Sequence, residues 1–177
     1  MFVNEFVDEY ARYRALGEKA IAQVPDDALN RVLAPDGNSI AVLMRHIGGN
    51  LASRFTNFLT EDGEKPWRDR DSEFVLDSST NPEQVLLWWN QGWNLVFAAI
   101  EPLTAADLER KVTIRGQEHT VLEAISRQMT HYAEHIGQII LLAKHFRGAE
   151  WKSLSIPKGQ SAKLGVAAER TNRARRG

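Results

Sequence analysis

Four long segments repeat their apolar residues every three or four positions, and this period constrains the fold more than any other feature of the sequence. The segments cover residues 4–24, 40–59, 81–100 and 120–146. Charged residues lie between the apolar positions, so each segment predicts an amphipathic helix with one face toward a core. Because four such faces bury one another in a bundle, we expect an all-α fold with four helices.

Three of these helices begin at recognisable start signals. Ser39 precedes the second segment as an N-cap, and Asn81 with Pro82 opens the third, since proline is tolerated in a first helical turn. Thr120, with Glu123 three residues later, forms a capping box at the start of the fourth. These polar side chains satisfy backbone amides that a helix start leaves unpaired, so they support the predicted boundaries.

The remaining segments divide the chain into a domain and a tail. Residues 61–79 hold glycine, proline and many charges without a period, which predicts a long loop. Residues 111–117 alternate and end at a glycine turn, which predicts a small β-hairpin before the last helix. We expect one domain over residues 1–161 and a basic, flexible tail over residues 162–177.

The composition limits the chemistry and the partners of the chain. Its 177 residues and 43% apolar content suit one globular domain, and a net charge of -1 favours neither nucleic acid nor an anionic membrane. No segment has the roughly 20 apolar residues of a membrane span, and the acidic N-terminus differs from a signal peptide. We therefore expect a cytoplasmic protein. Because the chain has no cysteine, a metal site must use nitrogen and oxygen ligands.

Three of the five histidines are candidate metal ligands. His131 and His135 stand four residues apart on the fourth helix, so they share one face and both imidazoles reach one ion. His46 lies beside the apolar stripe of the second helix among small residues, which leave room for a site. A histidine pair that titrates in water, or a core histidine bonded to a carbonyl, also explains such positions. Three inward histidines on two helices favour a shared site for one divalent ion.

Glu134 gives the fourth helix a second interpretation. His131, Glu134 and His135 match the H-x-x-E-H pattern of inverted zincins, in which the glutamate is the general base. The rest of the zincin context is absent, because only Glu150 and Glu169 are acidic after His135. Glu134 is nevertheless a candidate catalytic residue, either as a base or as a partner of a ligand. Its alternative is an exposed helix carboxylate.

Four further residues are candidates for substrate binding. Asn50 and Arg54 follow His46 by one and two helical turns, and the loop supplies Trp67 and Arg70. Arginine and tryptophan suit an anionic substrate, such as a low-molecular-weight thiol. The alternative is that Arg54 and Arg70 hold the loop through ion pairs, with partners among Asp62, Asp69 and Asp71.

Short motifs of the chain also resemble a known superfamily. Residues 44–50 contain Arg-His-Ile-Gly-Gly-Asn, and residues 131–139 contain His-Tyr-Ala-Glu-His-Ile-Gly-Gln. Further likeness runs through residues 62–71 and 151–161. In these motifs the chain resembles the DinB superfamily, whose members are also described as YfiT-like, and specifically a little-characterised subgroup of it. The resemblance covers roughly residues 4–161.

This resemblance implies more than the pattern of helices does. It implies an up-down-down-up four-helix bundle in which His46, His131 and His135 bind zinc, nickel or iron. It also implies, for many members, a homodimer. Relatives include transferases and isomerases that use the thiols mycothiol or bacillithiol, and many members have no assigned activity.

Three hypotheses for the function follow from these observations. Three neutral imidazoles leave a bound ion with its full charge and an open coordination position, which is typical of catalytic sites. The first hypothesis is thus a metal-dependent enzyme, a thiol-dependent transferase or a hydrolase, that acts on a small molecule. The second is a non-catalytic, metal-binding dimer associated with stress. The third is a bundle that no longer binds metal.

Overall fold

Four long helices form most of the structure, a computed structural model that describes residues 2–76 and 80–161. The helices are α1 (Phe2–Ile21), α2 (Ile40–Phe55), α3 (Pro82–Ile100) and α4 (Val121–Arg147). Two short strands, β1 (Lys111–Ile114) and β2 (Gln117–Thr120), directly precede α4. The predicted mainly helical fold with one small hairpin is confirmed. The predicted basic tail, residues 162–177, lies outside the described residues.

The predicted start signals are confirmed at three helices. The side chains of Ser39 and Asn81 each accept a hydrogen bond from the backbone amide three positions later, at 3.2 and 2.8 Å. At α4, the Thr120 hydroxyl accepts from the Glu123 amide, and the Glu123 carboxylate accepts from the Thr120 amide. Local side-chain chemistry therefore determines where these helices begin.

Helix α2 ends earlier than the apolar pattern predicts. The prediction ran to residue 59, but the helix ends at Phe55 because Thr56 is extended and Asn57 adopts a left-handed conformation with φ of 48°. Asparagine tolerates that conformation better than most residues. The turn still carries Phe58 into the core, where its ring lies 5.2 Å from that of Phe55. The apolar period therefore continues past the end of the helix.

Two smaller differences concern α1 and α4. Helix α1 covers Phe2–Ile21, so the predicted range of residues 4–24 is displaced by two to three residues. Helix α4 covers Val121–Arg147, so the predicted range of residues 120–146 is displaced by one residue. In its first turn Val121 is buried, whereas 39% of the surface of Leu122 is exposed.

The hairpin turns at its two central residues. Ile114 pairs with Gln117, and both Arg115 and Gly116 have positive φ angles, 55° and 72°. Two positive φ angles in a two-residue loop are typical of the turns that match the twist of antiparallel strands. Val112 and Ile114 are buried, so β1 closes one end of the core.

The helices pack as two pairs, α2 against α3 and α1 against α4, and α2 also contacts α4. Aromatic rings from three helices meet between the pairs. Tyr10, Trp93 and Tyr132 lie 6.0–6.3 Å from one another, with their rings steeply inclined. Trp89, fully buried, extends this cluster along α3. Such edge-to-face contacts add to the free energy of burying large rings.

Glycines bring α2 and α3 unusually close together. A Cβ atom built on Gly92 would lie 2.8 Å from both the Cα and the carbonyl oxygen of Gly48. A Cβ atom on Gly48 would in turn meet backbone atoms of Trp88. The contact is backbone against backbone, so no side chain is able to move aside.

Within the described part of the chain, no helix is both long and apolar enough to cross a membrane.

We expect Gly92→Ala to lower the free energy of unfolding by about 1–3 kcal/mol, because the new methyl group forces α2 and α3 apart. Gly137→Ala is the matched control, since a Cβ atom at Gly137 meets nothing within 4 Å. In the middle of α4 this control should gain about 0.5–1 kcal/mol from reduced backbone entropy. Urea denaturation followed by circular dichroism measures both changes. Equal stability of the two variants would contradict the proposed close contact.

Candidate metal centre

The three predicted histidines lie together where α2 contacts α4. His46 extends from α2, and His131 and His135 extend from α4 one turn apart. Nε2 of His131 lies 3.4 Å from Nε2 of His46 and 3.0 Å from Nε2 of His135. One ligand nitrogen from each residue lies within 4.8 Å of the others, so this group could hold a metal ion.

The spacing of these nitrogens fits a small divalent ion. A tetrahedral ion with metal–nitrogen bonds of about 2.0–2.1 Å holds its ligands roughly 3.3 Å apart. The two closest separations, 3.0 and 3.4 Å, lie on either side of that value. Imidazole nitrogens suit zinc, nickel and iron alike. The donor set therefore fits the kind of ion that the sequence predicts.

Hydrogen bonds at Nδ1 hold two of the imidazoles on the side of the ring opposite to Nε2. Nδ1 of His46 lies 2.8 Å from Oε2 of Glu73, and Nδ1 of His135 lies 2.8 Å from Oε1 of Gln138. Both partner atoms are acceptors, so each Nδ1 carries the proton and each Nε2 directs its lone pair toward His131. Lone pairs that converge in this way repel one another unless a proton or a cation lies between them. Their convergence is thus a chemical reason to expect an ion.

The three imidazoles differ in exposure, and two of them have a lowered pKa. His46 is buried, whereas His131 and His135 are half-buried. Desolvation, reinforced by the charges of neighbouring histidines and arginines, lowers the pKa of His131 to about 3. Desolvation also lowers the pKa of His135. Neutral imidazole is the form that binds a metal, so His131 and His135 need not lose a proton before they bind one.

Glu73 connects the site to the loop. It lies in a single 3₁₀ turn, Asp71–Phe74, and its carboxylate accepts two hydrogen bonds from Arg68, at 2.8 and 3.0 Å. Burial raises the pKa of Glu73, but the hydrogen bonds from His46 and Arg68 outweigh it and leave the pKa below its usual value. Glu73 therefore stays a carboxylate between the His46 ring and the Arg68 guanidinium.

A second carboxylate, Glu64, joins the loop to α2 and to the hairpin. It lies 3.0 Å from a guanidinium nitrogen of Arg54, 2.8 Å from Nε of Arg115 and 3.6 Å from Arg68. Arg54 also donates to the carbonyl of Gly63. The interpretation that Arg54 holds the loop through an ion pair is thus confirmed, but its partner is Glu64 and not one of the three aspartates.

The other predicted site residues surround the histidines at different depths. Asn50 is buried, and its Oδ1 accepts a hydrogen bond from the hydroxyl of Tyr132 at 2.8 Å. Trp67 is 58% exposed, and Arg70 lies above the ring of Phe74, 5.0 Å from its centroid. Glu134 is exposed and lies outside the histidine group.

Sequence reasoning missed Glu73 and Gln138, and it did not predict that Arg68 binds Glu73. Gln138 was recoverable, because it follows His135 by three residues on the same helix and so reaches its ring. The Gly-Gln pair after His135 was noted only as part of the resemblance. Glu73 and Arg68 lie in an aperiodic loop, where no pattern indicates which of many charges turns inward.

Asp62 fixes the start of the loop to the hairpin turn. Its carboxylate accepts hydrogen bonds from the backbone amides of Glu64, Arg115 and Gly116, at 2.7, 2.8 and 2.8 Å. Desolvation acts to raise the pKa of Asp62, but these hydrogen bonds lower it to about 2. The loop that carries Glu73 is therefore held by a charged group near its own beginning.

We expect Asp62→Asn to lower the free energy of unfolding at pH 7 by about 1–2 kcal/mol, because the amide offers one acceptor oxygen and no charge. The contribution of the wild-type carboxylate is complete above its unfolded pKa of about 4 and is lost as the pH falls toward the folded value. The urea midpoints of the two proteins should therefore converge between about pH 4 and 2.

The control for this experiment is Asp71→Asn in the same loop, whose side chain is 96% exposed and 3.6 Å from its arginine partner. This variant should keep the wild-type urea midpoint at pH 7, since exposed ion pairs contribute little. A difference between wild type and Asp62→Asn that persists unchanged at low pH would show that the carboxylate charge is not what holds the turn.

Comparison with known proteins places the chain in a family but gives it no activity. A family model described as "Protein of unknown function (DUF1572)" matches residues 1–160. No curated protein matches the chain. Because the match extends over the four helices, the hairpin and all three histidines, the chain belongs to the DUF1572 family of proteins of unknown function.

Proposed function

We propose that the protein binds one divalent metal ion through His46, His131 and His135 and uses it in an enzyme reaction on a small molecule. The observation that carries this proposal is that Nε2 of His46 and Nε2 of His135 lie 3.4 and 3.0 Å from Nε2 of His131, with two rings held at Nδ1 by Glu73 and Gln138. Ligand histidines in metalloproteins typically have such partners. A metal-binding role explains why these hydrogen bonds orient the rings inward.

The chain's own residues account for how the ion would be held. Three neutral imidazoles supply three nitrogen ligands, and within the described residues no carboxylate joins the group. A divalent ion held in this way keeps its positive charge and an open coordination position, from which it supplies Lewis-acid chemistry to a small molecule. The half-buried rings of His131 and His135 leave the site in contact with solvent, which supports the enzyme hypothesis over a sealed structural site.

Positive charge near the centre supports an anionic substrate, such as the thiolate of a low-molecular-weight thiol. Arg54 and Asn50 are buried and bonded to Glu64 and Tyr132, so we propose that substrate contacts fall to Arg70 and Trp67. Arg70 is half-exposed and paired only loosely with Asp71, at 3.6 Å, which leaves its guanidinium free to turn toward a carboxylate.

The pairing of the helices supports a wider assignment. The pairing of α2 with α3 and of α1 with α4 is compatible with an up-down-down-up bundle, and we propose that the chain is a DinB-like protein of this type. Its homodimer, its cytoplasmic location and the catalytic role of Glu134 stay predictions. Glu134 is exposed beside His135, a position from which a carboxylate is able to act only on a substrate that enters from solvent.

We expect the purified protein, prepared without chelators, to hold about one equivalent of zinc, nickel or iron by elemental analysis. His131→Ala should lose it, because two remaining imidazoles bind a divalent ion far more weakly. The matched control is His145→Ala, an exposed histidine on the same helix, which should keep the full equivalent. A metal-free wild type that also fails to take up added zinc, or a loaded His131→Ala, would refute the site.

We further expect the metal-loaded protein to consume a small electrophile when a low-molecular-weight thiol is present, with no turnover by His131→Ala. A panel of thiols, with simple esters and amides as hydrolase substrates, separates transfer from hydrolysis by mass spectrometry of the products. Metal binding without turnover on any of these compounds would favour the alternative, a non-catalytic metal-binding protein.

A further inference from the structure

We propose that Glu73 and Arg68 are positioning residues, which fix the ring of His46 in the tautomer and orientation that a metal requires before any metal arrives. The proposal rests on the proposed metal-binding function and assigns part of the site to the loop between α2 and α3. Neither residue touches the expected position of the ion. Both act through His46.

Glu73 determines which ring nitrogen of His46 carries the proton. In water, neutral imidazole carries its proton mainly at Nε2, and that form would direct a proton at the ion. The Glu73 carboxylate is only an acceptor, and it lies 2.8 Å from Nδ1 of His46. It therefore keeps the proton at Nδ1 and leaves Nε2 as a free ligand. The ring of His46 is buried, so bulk solvent does not compete with Glu73 for this proton.

Glu73 and Phe74 together fix the orientation of the His46 ring. Phe74, the residue after Glu73, lies against the same imidazole, with ring centroids 4.7 Å apart and planes inclined by 37°. The edge of the ring is thus held by a hydrogen bond and its face by an aromatic contact, both from one 3₁₀ turn. Two contacts at different angles leave the ring little freedom to rotate.

Arg68 fixes the position of the Glu73 carboxylate. Arg68 donates Nε to Oε1 and Nη2 to Oε2 of Glu73, so both oxygens are fixed in one plane. The side chains of His46, Glu73 and Arg68 are 3%, 7% and 2% exposed. At this depth an unpaired carboxylate would be unstable, so Arg68 is what allows Glu73 to approach His46 as a charged acceptor.

The backbone of α2 makes room for this carboxylate. A Cβ atom on Gly49 would collide with Oε1 of Glu73 and would lie 2.8 Å from its Cδ. The carboxylate of Glu73 therefore packs directly against the backbone of α2 at Gly49. Because an alanine at this position alters no titratable or ligating group, it displaces Glu73 by volume alone.

Two variants test the proposal. In the double variant Glu73→Leu with Arg68→Met, the carboxylate and its partner are removed together, so that no unpaired charge stays buried. Gly49→Ala keeps every ligand and every charge and shifts only the carboxylate. Gly137→Ala is the matched control, since its Cβ atom meets nothing and it lies on α4 close to His135.

The measurements are the zinc dissociation constant, by competition with a chelator, and the tautomer of His46 in metal-free protein, by NMR of the imidazole nitrogens. We expect the double variant to bind zinc about 10- to 100-fold more weakly, with Gly49→Ala weakened in the same direction and Gly137→Ala unchanged. In wild type, the NMR signals should report a proton at Nδ1 of His46. In the double variant, they should report the Nε2 form or a mixture.

Wild-type affinity and an unchanged Nδ1 tautomer in both variants would overturn the proposal. If the double variant does not fold, as judged by circular dichroism, Gly49→Ala decides the question alone through the same two measurements. If wild type binds no zinc, the proposed function fails, whereas the tautomer comparison in metal-free protein still decides whether Glu73 positions the ring.

Discussion

Helix α2 is the element on which the arrangement of the others depends, because its opposite sides make two contacts that tolerate no displacement. On one side, Gly48 meets Gly92 of α3 backbone to backbone. On the other, His46 reaches the histidines of α4. All but three of its residues, Arg45, Gly49 and Ala52, are buried. A shift of α2 toward α3 would bring backbone atoms into collision and separate the imidazoles, and a shift toward α4 would crowd the imidazoles, so the close helix contact also fixes the geometry of the site.

How far the sequence predicted this structure depends on whether a feature is local. The starts of α2, α3 and α4 were predictable because Ser39, Asn81 and Thr120 each bond to an amide three residues away. The proximity of His131 and His135 was predictable because helical periodicity puts them on one face. The end of α2 was not, since Asn57 breaks the helix while Phe58 keeps the apolar period.

Non-local contacts explain what could not be predicted at the site. One of the two interpretations of Arg54 paired it with Asp62, Asp69 or Asp71, yet its partner is Glu64. Asp62 is unavailable because its two oxygens accept backbone amides from the loop and from the hairpin turn. Which acid of an acid-rich loop faces inward is decided by the hairpin, which lies about fifty residues away in sequence. No window of local sequence contains that information.

Glu64 has a consequence for how this loop is able to vary among related sequences. Its carboxylate is partly exposed, which would normally mark a freely exchangeable surface position, yet it faces arginines from α2, from the loop and from the hairpin. A neutral residue at this position would leave the buried Arg54 without its acidic partner, so its replacement calls for a second change elsewhere. Substitutions at positions 54 and 64 should therefore occur together among related sequences. An alignment of the family that shows such paired substitutions would identify Glu64 as the residue that holds the loop to α2, without any structure.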